Sequence, residues 1–115
     1  MGGDGVVFVA SNEIPTELVG LCAAARAGDW DGARRIHERW LPLFQGNFRG
    51  GPNPVPAKAA LMLMGLLESD AVRRPLLPID PDGRAAMAVT LRCLGLLESG
   101  GGRIVSRSGS REAVA

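Results

Sequence analysis

The stretch PNPVPAKAALMLMGLLE, Pro52 to Glu68, carries Lys58, the only lysine of the chain, at the head of an apolar run. A lysine amine desolvated beside apolar groups loses its proton near neutral pH and can form a Schiff base with a carbonyl substrate. An early-helix lysine can instead pack its stem and send its ammonium to water. The chain has no tyrosine, and no acid or base stands at a local spacing that would move protons for Lys58. Position alone therefore favours a structural lysine.

The other reactive side chains are more isolated. His37, the one histidine, lies between Ile36 and Glu38 with no serine or cysteine at a spacing that makes a nucleophile and base pair. It reads as a surface or boundary residue. Asp80 and Asp82 precede Gly83 as in a calcium loop, but Arg84 and Leu91 stand where further oxygen ligands are needed. Helix capping is the expected use. Cys22 and Cys93 lie in neither a CxxC nor a Cys/His spacing, which leaves no zinc site and predicts two reduced, buried thiols. The glycines of GGDG, Gly2 to Gly5, precede an apolar run, whereas a phosphate cradle follows a strand and opens a helix.

Composition narrows the partner classes. The net charge is +1, and the 13 basic residues, all arginine but one, are spread along the chain. Such a distribution makes no concentrated field for nucleic acid or an anionic membrane. The N-terminus lacks the basic n-region of a signal peptide, and the apolar stretch Ala59 to Leu67 is about half a membrane span. A soluble cytoplasmic protein, with no membrane and no nucleic acid as partner, is the expectation.

These residues must be positioned by a mainly helical chain. GVVFV, Gly5 to Val9, is β-branched and aromatic and predicts one short strand, for which no second strand follows. From Pro15, Leu18, Leu21, Cys22 and Ala25 recur at helical spacing until Gly28. Asp29 is placed to cap a second helix with the stripe Ala33, Ile36, Trp40, Leu43 and Phe44, an Asp31–Arg35 pair on its surface, and a bend at Pro42. Pro56 opens a third helix. Asp80 and Pro81 open a fourth with the stripe Ala86, Val89, Cys93 and Leu97. Residues 100–115, with Arg103, Arg107 and Arg111 among Gly and Ser, read as a disordered tail.

Four segments in order, GGDGVVFVASNEIP, AGDWDGARRIHERWLPLFQGNF, PNPVPAKAALMLMGLLE and RRPLLPIDPDGRAAMAVTLRCLGLLE, resemble the C-terminal part of the dihydrodipicolinate synthase family over about Gly2 to Glu98. The resemblance implies a (β/α)₈ TIM barrel lyase that condenses pyruvate with aspartate semialdehyde through a lysine Schiff base, in lysine and diaminopimelate biosynthesis, commonly as a homotetramer. It implies that residues 1–28 are the last β/α unit of the barrel and residues 29–99 a C-terminal helical extension. The family's Schiff-base lysine and relay tyrosine fall on earlier strands and map to no residue here, so no catalytic residue, cofactor or metal is assigned. Lys58 matches a position of the extension. Val7 matches the aliphatic position that borders bound pyruvate, and Phe8 stands where a small polar residue is common. The expected function is thus a fragment of such a lyase, inactive alone; the alternatives are a fragment of a related aldolase such as N-acetylneuraminate lyase, or a free-standing helical interaction protein that offers its strand edge.

Overall fold

The protein is represented by a computed structural model that describes residues 3–98. Four helices follow one another, α1 (Pro15–Arg26), α2 (Trp30–Gly46), α3 (Val55–Leu63) and α4 (Pro81–Cys93). Their starts follow from local chemistry. Proline occupies the first turn of α1, α3 and α4, where its missing N–H costs nothing. Asp29 accepts from the Gly32 N–H at 2.8 Å to cap α2, and Asp80 accepts from the Gly83 N–H at 2.7 Å to cap α4. Gly28, at φ +77°, lets the chain reverse from α1 into α2. Pro42 lies inside α2, which continues through it as one helix.

The apolar face of α2 builds the core. Trp40, Leu43 and Phe44 meet Leu18 of α1, Ala60 of α3 and Met87, Ala88 and Leu91 of α4 in one cluster. Gly46 faces α4, where a Cβ would lie in ordinary van der Waals contact with Met87 Cε at 3.5 Å. A smaller cluster, Val55, Ala59 and Ile79 with Val72 and Leu76 against it, fills the space under the long connection from α3 to α4. That connection is tied on both sides: Lys58 donates to the Ala71 carbonyl, and Arg84 pairs with Asp70.

Four sequence expectations are corrected. No strand forms at Gly5–Val9: residues 5–8 have no regular structure, and Val9–Asn12 is a 3₁₀ turn. A strand needs a neighbour for its N–H and C=O groups, and those of Val6 and Val7 pair with no described residue. On α4 the buried face is Met87, Ala88 and Leu91, whereas Ala86, Val89 and Cys93 are exposed; of the expected stripe only Leu97, beyond the helix, is buried. Ala85, Ala86, Val89 and Cys93 share the helix with Met87, Ala88 and Leu91, so spacing admits more than one stripe, and its rotation is chosen by contacts outside it. Cys93 is accordingly an exposed thiol and Cys22 a half-buried one, both free. Asp31 and Arg35 form no ion pair, as an exposed pair gains little against the freedom of two long side chains. Residues 99–115, including the three arginines of the expected tail, lie outside the described residues, as does Gly2.

Candidate functional site

The site is built around the segment that enters α1. Phe8 has extended backbone angles, φ −148° and ψ 139°. Its ring packs edge-on against Phe44 of α2 with centroids 4.8 Å apart. After it the chain is turned sharply by its own polar side chains: Ser11 Oγ donates to the Phe8 carbonyl at 2.6 Å, and Asn12 Nδ2 donates to the Val9 carbonyl at 2.9 Å. With Phe8 anchored inward, alternation sends its neighbour outward, and Val7 is fully exposed at 103 %. Val6, Val7 and Phe48 line a shallow apolar groove beside it.

A second feature lies directly behind this segment and has no signal in the sequence. Glu13 is 5 % exposed and Asn47, the C-cap of α2, is 2 % exposed. Asn47 Nδ2 donates to Glu13 Oε2 at 2.8 Å. Burial pushes the Glu13 carboxyl up to about 7, while the Asn47 hydrogen bond pulls it down. Glu13 forms part of the wall of a cavity of about 410 Å³ that Arg39, Met64 and Leu94 also line. A glutamate between Asn12 and Ile14, just before a helix-opening proline, reads as a surface residue. Only the packing of Ala10 and Ile14 into the core draws it inside.

The remaining candidates are not brought together. Lys58 sits on α3, tied to the Ala71 carbonyl. His37 lies exposed on α2, its ring centroid 5.6 Å from that of Phe44. Among the described residues no group of three or more His, Cys, Asp or Glu is placed to hold a metal ion. Asp80 is a helix cap with its oxygen already engaged, and Asp82 is exposed. Asp80→Ala is therefore expected to cost about 1 kcal/mol and Asp82→Ala only a few tenths. Calcium should leave both melting temperatures unmoved, as calorimetry with and without the ion will show.

The family model described as the dihydrodipicolinate synthetase family matches residues 1–94. The chain belongs to that family. It is 44 % identical over 97 residues to the 4-hydroxy-tetrahydrodipicolinate synthase of Chlorobaculum parvum, covering 84 % of this chain and 32 % of that protein. The Syntrophobacter fumaroxidans synthase is 41 % identical over 97 residues, covering 84 % of this chain and 33 % of that protein. Among solved structures, the dihydrodipicolinate synthase of Thermotoga maritima superposes with a TM-score of 0.79 at 38 % identity, over 84 % of this chain and 32 % of that one. The Aquifex aeolicus enzyme superposes with a TM-score of 0.75 at 35 % identity, over 80 % of this chain and 31 % of that one. The chain thus spans about a third of the length of the synthases it matches. No helix among the described residues is long and apolar enough to cross a membrane.

Proposed function

We propose that this chain supplies the closing part of a synthase of this family: residues 1–28 as the eighth β/α unit of a (β/α)₈ barrel and residues 29–99 as the helical extension behind it. The reaction is the condensation of pyruvate with aspartate semialdehyde through a lysine Schiff base, in a homo-oligomer. The observation that carries this reading is the Gly5–Phe8 segment. It is apolar, its Val6 and Val7 pair with no described backbone group, and Phe8 is extended with Val7 turned fully outward. An unpaired segment of this kind becomes a strand when neighbouring strands are set on its two edges, and a barrel requires every strand to close.

In a barrel of this kind the active site gathers at the C-terminal ends of the strands. Val7 then contributes an apolar wall against the methyl side of bound pyruvate and keeps water from that face. The amine that attacks the carbonyl comes from another strand. Lys58 does not replace it, because it lies on α3 and its amine is spent on the Ala71 carbonyl, and the chain has no tyrosine to relay a proton.

The chain by itself is accordingly inactive. Incubation with pyruvate and borohydride followed by intact-mass measurement is expected to return the unmodified mass. A stable pyruvyl adduct on Lys58 would overturn the assignment of this lysine as structural.

A further inference from the structure

Glu13 Oε1 and Asn47 Oδ1 are the buried side-chain polar atoms among the described residues that have no hydrogen-bond partner. Both belong to side chains already joined through Asn47 Nδ2 and Glu13 Oε2. A carboxyl and a primary amide are matched planar forks. With one arm of each joined, the two arms left over are both acceptors for as long as the carboxyl is ionised. Two unpaired acceptors at this depth cost more than one protonation does. A single proton on Oε1 makes it a donor and serves both oxygens.

We propose that Glu13 is un-ionised in the folded chain and closes a two-hydrogen-bond acid–amide ring with Asn47, so that one bound proton clamps the 3₁₀ turn onto the C-terminal end of α2. Few charges face Glu13. The 3₁₀ turn contributes no titratable group, α1 contributes Glu17 and α2 contributes Arg39. The turns after α3 and α4 contribute only Met64, Leu66, Leu94, Gly95 and Leu96. Burial is the dominant influence on the carboxyl, which is set near 7 against an ordinary value of 4.5.

The consequence is a pH-sensitive clamp beneath Val7. A carboxyl whose folded pKa is raised binds its proton more tightly in the folded state, so its contribution to stability is fully present below about 4.5, declines as pH rises, and is gone above about 7. Once it opens, the turn that anchors Phe8 on Phe44 loses its attachment to Asn47. The proposal stands on this chain alone and is independent of the barrel assignment.

The test combines carbon-13 NMR of the Glu13 side-chain carboxyl with urea denaturation of wild type and Glu13→Gln between pH 4 and pH 8. Glutamine keeps the fork and has a permanent donor on its second arm, so its share of stability is independent of pH. The expected midpoint of the Glu13 carboxyl is about 7. The wild-type folding constant, taken relative to that of Glu13→Gln, is expected to fall roughly 300-fold across the range, the factor that corresponds to the shift from 4.5 to about 7. A carboxyl that titrates near 4.5, or a wild-type to Glu13→Gln ratio that does not move with pH, overturns the clamp and implies an ionised Glu13 served by trapped water. Should Glu13→Gln not fold, the carbon-13 midpoint of the wild type decides by itself.

Discussion

Trp40→Ala should lose about 3–5 kcal/mol of stability, most of what a domain of roughly this size possesses. Trp40 is 2 % exposed and lies in the cluster where α1, α2, α3 and α4 meet. Its loss removes the largest fully buried side chain among the described residues and leaves a cavity where the four helices meet. Urea unfolding followed by far-ultraviolet circular dichroism will measure the change, since the substitution itself removes the buried fluorophore. The same experiment on α4 discriminates between its two possible stripes. Val89, at 55 % exposed, should tolerate alanine with little change, whereas Leu91→Ala should cost about 2–5 kcal/mol. A large loss at Val89 with a small one at Leu91 would mean that α4 is rotated from the position described above.

Gly50→Val is expected to cost about 2–4 kcal/mol, the sum of a left-handed backbone penalty and overpacking. Gly50 has φ +81°, and a Cβ there would lie 3.1 Å from both Gly83 Cα and Ile79 Cγ1. The contact is reciprocal, because a Cβ on Gly83 would lie 3.0 Å from Gly50 Cα. Two backbones touch at this point, and neither has a flexible side chain that could give way. Helix propensity alone would make Gly83→Ala stabilising by about 1 kcal/mol; the contact reverses the expected sign. Gly95 supplies the control, with φ +74° and nothing near its missing Cβ. Alanine there should cost only the backbone part, about 1–2 kcal/mol. Thermal melts of the three variants will show whether the Gly50–Gly83 approach is as tight as described.

The helices were legible in the sequence because their signals are local. Asp29 and Asp80 cap from the positions their spacing implies, Pro15, Pro56 and Pro81 lie in first turns, and Gly28 ends α1. The α2 stripe was equally plain, because Arg34, Arg35, Glu38 and Arg39 make the opposite face polar and leave one way to turn the helix. On α4 apolar residues occur on both the buried and the exposed side, and its first turn is set against the rest of the chain by the Gly50–Gly83 approach and the Arg84–Asp70 pair, contacts between residues far apart in the chain. The candidate site divides along the same line. Val7 could be singled out from GVVFV and the motifs that follow it, but the strand it belongs to by pattern is absent among the described residues, since pairing depends on neighbours that the pattern does not contain.

The amino-acid order by itself therefore determined the number and starts of the helices, the buried face of α2 and the family. Each depends on spacing within a few residues or on the order of whole segments. Only the tertiary structure decided which face of α4 is buried, that Cys93 is exposed, that Lys58 spends its amine on the Ala71 carbonyl, and that Glu13 is enclosed against Asn47 across 34 positions of sequence. The physical reason is that burial of a polar group is set by the packing of its apolar neighbours, here Ala10 and Ile14, and that packing is a property of the assembled helices.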